Sequence, residues 1–284
     1  MVNIKSPLKQ PSKSKLLSFK ALFLALICLF FLYACTSGKD KAPENSNSSY
    51  SSNEHLKYGA PSTSGTILTR TGYVLSYNKE TKDPNWVSYH LTADELNSLQ
   101  IKRSNKFAPD PNLPAGDRAE LSDYRGSGFD RGHMCPNADQ AWSKITMKEC
   151  FYLSNMCPQL HSLNAGEWED LEKQVRKFTK KHGEAWIICG PVFSNTPNKP
   201  ETIGANQVWV PAGFFKVVIY DTKERVMAIG FEMPHQTLTG ELKKFIVKIR
   251  DIEAATGLNF MSTLPQNEQD KLETVVSNGS EFLN

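Results

Sequence analysis

Cysteine is scarce in this chain and poorly spaced for holding a metal. There are six in 284 residues. The four in the body of the chain, Cys135, Cys150, Cys157 and Cys189, form no Cys-x-x-Cys and have no neighbouring His pair, which argues against a structural zinc site. Apolar runs of membrane length are missing too. The longest apolar run, residues 21–34, falls short of the roughly 20 residues that cross a hydrocarbon core. No internal repeat is visible, and helical patterns do not alternate regularly with strands, which excludes solenoids and doubly wound parallel sheets. A general excess of positive charge is also absent. Of 33 basic residues, five (Lys5, Lys9, Lys13, Lys15 and Lys20) precede residue 35, where no acid is found. The remainder carries 28 basic against 30 acidic side chains. Affinity for a polyanion therefore has to come from a local patch and not from the whole-molecule field.

What the N-terminus does contain is an address. Lysines up to Lys20 precede the apolar run, which ends in Leu32-Tyr33-Ala34-Cys35. This ending resembles the lipobox of bacterial lipoproteins, in which the cysteine becomes the lipidated first residue of the mature chain. An uncleaved anchor or a secretory signal cut nearby are the other readings. Residues 1–35 are thus expected to be a lipoprotein signal peptide, and residues 36–55, rich in Ser, Asn and Lys, a flexible tether. Such a protein is exported and held at a membrane through Cys35. Export would let the four body cysteines pair, so one disulfide and buried free thiols both stay open.

From residue 56 to 276 the patterns are those of a single α+β domain, with 277–284 as a fraying tail. Residues 71–78 and 86–91 are strand-like, joined by a turn at Asp83-Pro84-Asn85. Thr92 and Glu95 form a capping box for a helix over 93–100. A loop rich in Pro and Gly runs from 102 to 128, and a long loop inside a compact domain is usually functional. Residues 151–156 read as a strand stopped by Pro158. Leu163-Asn164 opens the clearest helix, over 167–182, with Trp168, Leu171, Val175 and Phe178 at helical spacing. Residues 185–190, 207–211, 214–220 and 225–231 read as further strands, 242–256 as a helix capped by Gly257, and 267–276 as a last helix.

The loop leads into Asp130-Arg131-Gly132-His133, an acid, a guanidinium and an imidazole in four residues. Hydrolysis of a phosphodiester needs a group to take a proton from water, charge to steady the phosphoryl oxygens, and support for the departing 3′-oxygen. His133 suits the first task, since a neutral imidazole titrates near working pH. Arg131 can pair with phosphate oxygens bidentately. A hard Mg²⁺ prefers few protein oxygens and several waters, and Asn164 with Glu172, eight positions on, can supply them. Asn155 is a second nearby amide. Taken singly, each of these residues could be a cap, a turn or a solvated face.

Their joint order carries a resemblance. Asp130-Arg131-Gly132-His133 with Pro136, Tyr152-Leu153-Ser154-Asn155, Pro158-Gln159, Leu163-Asn164, Trp168 and Leu171-Glu172 are similar to the DNA/RNA non-specific endonuclease family with a ββα-metal site. Arg70-Thr71-Gly72-Tyr73, Gly190-Pro191-Val192-Phe193 and Val210-Pro211 before Phe215-Lys216-Val217 extend it. The resemblance implies an α+β fold with a mixed or antiparallel central sheet, flanking helices and a ββα-metal motif. It also implies a site in which His133 is the general base and Asn164 the direct ligand to Mg²⁺, with Mn²⁺ as a substitute. Glu172 holds metal-bound water, Arg131 and Arg103 stabilise the phosphate, and Asp130 and Asn155 orient the rest. The partners it implies are DNA and RNA; the oligomeric state stays open, a homodimer included. No helix-turn-helix or zinc-finger signature offers base readout. Two rival functions are a lipoprotein that binds or takes up nucleic acid without cutting it, and a metal phosphodiesterase for small nucleotides. A deep closed pocket would favour the latter, an open basic groove the nuclease.

Overall fold

Side chains that alternate between two apolar cores organise the structure, a computed structural model that describes residues 53–193 and 200–284. The lipobox, its apolar run and most of the tether lie outside the described residues. Strands β1 (Thr66–Thr69), β2 (Val74–Asn78) and β3 (Asp83–Thr92) form an antiparallel meander, followed by a short helix α1 (Ala93–Asn97). The long loop contains α2 (Leu121–Tyr124) and leads to β4 (Asp130–His133), α3 (Lys144–Glu149), β5 (Met156–Gln159), α4 (His161–Asn164) and α5 (Glu167–His182). Next come β6 (Glu184–Val192), the small pair β7 (Thr202–Ile203) and β8 (Val208–Trp209), then β9 (Gly213–Asp221), β10 (Val226–Pro234) and β11 (Ile246–Val247). Helices α6 (Ile249–Thr256), α7 (Gln266–Glu273) and α8 (Ser280–Leu283) close the chain.

Seven of these strands make one sheet in the order β1-β2-β3-β6-β9-β10-β11, and every pairing in it is antiparallel. β6 and β9 lie in its middle and are apolar on both faces. Ile187, Cys189, Phe214 and Val218 enter one core, Trp186, Ile188, Phe215 and Val217 the other. That period of two is the pleat itself. The first face is covered by α5, whose Trp168, Leu171, Val175 and Phe178 are all buried against it. Each such side chain contributes roughly 1.5–3 kcal/mol of burial. The second is covered by Leu56, Tyr58, Ile249, Ile252, Phe260 and Met261. Cys135, Cys150, Cys157 and Cys189 are all buried free thiols.

Several elements depart from the sequence pattern for identifiable reasons. Asp83-Pro84-Asn85 is not the turn but the start of β3; the chain reverses earlier, with Lys82 at φ +61°. Pro84 stands opposite Tyr77, next to a register shift that leaves Asn85 as the extra residue of a bulge, a place in a sheet where proline is found. α1 stops at Asn97 and not at residue 100. Residues 153–155 form a 3₁₀ turn, and the strand that follows runs through Pro158, which sits opposite Arg131 in the two-stranded ribbon β4-β5. β6 continues through Gly190-Pro191 to Val192, and only Val208–Trp209 of 207–211 is a strand. The expected helix over 242–256 is a 3₁₀ turn (Leu242–Phe245), then β11 pairing with β10, and only then α6. The last helix ends at Glu273. The tail does not fray: α8 seats Phe282 against Phe178 and Phe231.

Candidate active site

β4 and β5 form an antiparallel ribbon in which His133 faces Met156 and Asp130 faces Gln159, and α4 follows directly. Gly132 is required in this ribbon, because a Cβ there would fall 2.2 Å from Gln159 Oε1. The chain then turns at Gly166 into α5. A Cβ on Gly166 would lie 2.3 Å from the Ser162 carbonyl oxygen, so only glycine lets α4 and α5 approach this closely. Asn164 therefore ends its own short helix and does not open the long one. It and Glu172, on separate helices, are brought together by the Gly166 turn.

Both residues line one cleft of about 210 Å³, together with Arg103, Arg131 and His133. Five of the expected site residues, from the long loop, the ribbon and two helices, thus meet in one place. Asp130 and Asn155 stand behind it. Asp130 Oδ2 accepts a hydrogen bond from Asn164 Nδ2 at 2.9 Å and pairs with His161 Nδ1 at 2.9 Å. Fixing the amide nitrogen in this way leaves Asn164 Oδ1 available as a ligand. Asn155 is wholly buried. Its Oδ1 accepts from the Cys135 N–H, and its Nδ2 donates to the carbonyls of Cys135 and Cys150, all at 2.9 Å. That amide has spent its bonds on the turn after His133, so it braces the site and does not enter the chemistry.

His133 is 7% exposed, and its Nε2 has no hydrogen-bond partner among the described residues. Phe151 meets the ring edge-on at 5.0 Å and Phe107 packs at 5.6 Å. Burial, with the positive charges of Arg103 and Arg131, pushes the imidazole down to about 3. The guanidinium of Arg131 stacks 4.2 Å from the Phe107 ring, and that of Arg103 lies 5.2 Å from Phe151 with its Nε donating to Asn105 Oδ1 at 2.6 Å. Neither arginine forms an ion pair among the described residues, so both are free for an anion.

Glu172 is the acidic counterpart. Burial, opposed by Lys216 and Arg176 and helped by Asp139, pushes its carboxyl up to about 7. It has no ion-pair partner among the described residues. An under-compensated carboxyl beside a free amide oxygen suits a divalent cation. Among the described residues no cluster of three or more His, Cys, Asp or Glu side chains could hold a metal. A cation here would keep much of its water, which matches the coordination habit of Mg²⁺ and not that of zinc.

Sequence reasoning missed three residues. Glu169 and Arg176 also line the cleft; with Glu172 they follow the 3-and-4 spacing of one polar face of α5, a signal present in the sequence. Arg176 is held by Asp139 at 2.8 Å, whose other oxygen accepts from Tyr89 Oη at 2.9 Å, tying the far end of the His133 segment to α5. Lys216 is fully buried on β9, its Nζ without a hydrogen bond among the described residues and 4.5 Å from the Trp168 ring centre. No local pattern marks a lysine inside a central strand as buried.

The profile of the DNA/RNA non-specific endonuclease family matches residues 51–267. The chain belongs to the DNA/RNA non-specific endonuclease family. Members similar to it include Nuclease C1 of Cunninghamella echinulata var. echinulata, 38% identical over 74% of this chain and 88% of that protein. Human mitochondrial endonuclease G is 35% identical over 74% of each. A crystal structure of an EndoG/EndoGI complex superposes with a TM-score of 0.72 at 31% identity, covering 75% of this chain and 92% of that one. As an endonuclease of this family the protein is a hydrolase, and its ribbon-and-helix site occupies an α+β fold built on an antiparallel sheet.

Proposed function

We propose that this endonuclease cleaves DNA and RNA with little sequence preference, using Mg²⁺ and leaving 5′-phosphates. The observation that carries the reading is the convergence of Arg103, Arg131, His133, Asn164 and Glu172 on one cleft. Arg131 and Arg103, free of acidic partners, grip the phosphoryl oxygens. His133, neutral across the working range, accepts a proton from the attacking water. Burial and the two arginines depress its basicity, and the single negative charge of a phosphodiester between the arginines offsets part of their contribution, so the base strengthens somewhat when substrate arrives. Asn164, its amide held by Asp130, would supply the protein oxygen for the metal, and Glu172 would steady it through water. When bound, the cation offsets charge on the departing 3′-oxygen.

The cleft is bordered by half-exposed Asn164 and exposed Arg103, which suits a polymer passing across it better than a small nucleotide enclosed in it. The set of base, guanidinia and metal oxygen likewise speaks for cutting over mere binding. Incubating the protein with plasmid and with RNA should degrade both in magnesium and neither in excess chelator; degradation unaffected by chelator would refute the metal role.

Cys35 is proposed as the lipid attachment site of an exported, membrane-held enzyme. The support is the lysine-flanked apolar run ending in Leu32-Tyr33-Ala34-Cys35. Among the described residues no helix is long and apolar enough to cross a membrane. Labelled palmitate should enter the wild-type chain and not Cys35→Ser; equal labelling of both would remove the anchor from Cys35.

A further inference from the structure

Beside the catalytic cleft lies a larger groove, about 590 Å³, that the chemistry above does not use. Its floor is apolar, with half-buried Ile101 and Tyr152 over buried Met147, and its rim carries Lys102, Lys106, Lys144 and Lys148. All four lysines are exposed, and none makes an ion pair or a side-chain hydrogen bond among the described residues. No acidic side chain lines the groove.

The groove and the cleft share a wall, the segment between residues 102 and 108. Alternate positions face opposite ways. Lys102, Ser104, Lys106 and Ala108 line the groove. Arg103 lines the cleft, Asn105 accepts its hydrogen bond, and Phe107 packs on His133 and Arg131. The wall is held in place by bonds from the Ile101 N–H to the Ala141 carbonyl and between Ala108 and Phe151. A chain gripped at the scissile phosphate by Arg103 thus meets unpaired positive charge again on the other side of the same segment.

We propose that this groove is a second substrate subsite, which seats the nucleic-acid strand beyond the scissile phosphate. The phosphates lie on the four lysines and a base rests on the Ile101–Tyr152 floor. The assignment rests on the nuclease reading and extends it to how a body without net positive charge holds a polyanion. Unpaired lysines supply the sequence-independent attraction, and an apolar floor accepts any base by its face. Single-stranded substrate is the form whose bases can turn into it.

Lys144 and Lys148 are one turn apart on the exposed side of α3, so both can be replaced with no change to the cleft. In the full chain, Lys144→Glu/Lys148→Glu should raise KM for a long single-stranded oligodeoxynucleotide by about tenfold with kcat unchanged. The plot of log KM against log salt should flatten by about 0.7 for each phosphate that no longer has a lysine beside it. Cleavage of a dinucleotide, too short to reach the groove, should not change, and Lys144→Arg/Lys148→Arg should behave as wild type. An unchanged KM and salt slope would overturn the proposal, as would equal losses on oligonucleotide and dinucleotide. Loss of binding to phosphatidylserine vesicles with KM intact would make the groove a membrane-facing surface and overturn it too. Failure of the nuclease reading itself would be seen differently, as no cleavage by the wild-type protein in magnesium.

Discussion

His133 and Glu172 are perturbed in opposite directions by the same burial, and this assigns the pH dependence to one of them. In the free enzyme His133, held down to about 3, is neutral throughout the useful range and contributes no limb near neutrality to kcat/KM. Glu172, pushed up to about 7, is protonated below that and ionised above. Protons and the metal compete for its carboxylate. At sub-saturating magnesium, activity should therefore fall as pH drops through about 7, and the limb should move to lower pH as magnesium is raised. Glu172→Gln should lose the limb together with most of its metal affinity. A limb that stays at one pH at every magnesium concentration would contradict this role. At this scale the sequence was informative wherever chemistry clusters locally. Asp130, Arg131 and His133 are adjacent, and Asn164 and Glu172, expected from the family resemblance, line the same cleft. It was silent on Asn155, whose amide is consumed by backbone groups of Cys135 and Cys150 that only the folded turn brings near. Lys216 was hidden for a similar reason, since its burial depends on Trp168 from another element.

At the scale of elements, two devices hold the cleft. One is the Gly166 turn. Gly166→Ala forces a Cβ against the Ser162 carbonyl and should push α4 away from α5. The expected result is a loss of magnesium affinity larger than the loss of stability, read by activity titrations beside thermal unfolding. Unaltered metal dependence would show that the turn does not place Asn164. The other device anchors the long loop. Arg70 Nη2 meets both oxygens of the fully buried Asp110, at 2.6 and 2.5 Å, and Ser154 donates to the same carboxylate. Removing one partner leaves a buried charge, so Arg70→Ala should cost about 3–5 kcal/mol in denaturant unfolding; less than about 1 kcal/mol would mean the pair is replaceable. Elements with a strong period of their own, α5 and the central strands β6 and β9, were legible from sequence. Those set by a neighbour were not. Residues 246–247 carry a helical pattern but pair with the edge of β10, and Pro158 is admitted to β5 because the two-stranded ribbon leaves an edge free.

For the whole molecule, the fold separates support from chemistry. The seven-stranded sheet and its two cores carry stability, while the ribbon and α4 sit on one side of it with the cleft at their edge. With 28 basic against 30 acidic residues after residue 35, binding has to be local, through the two free arginines and the lysine groove next to them. His133 is proposed to perform the chemistry without being needed to hold the substrate. Plasmid cleavage by His133→Ala in saturating magnesium, with binding of a labelled oligonucleotide followed by fluorescence anisotropy in the same preparation, tests it most directly. Cleavage should vanish while affinity stays within about threefold of wild type, because the phosphate contacts come from other residues. Cutting at the wild-type rate would contradict the account.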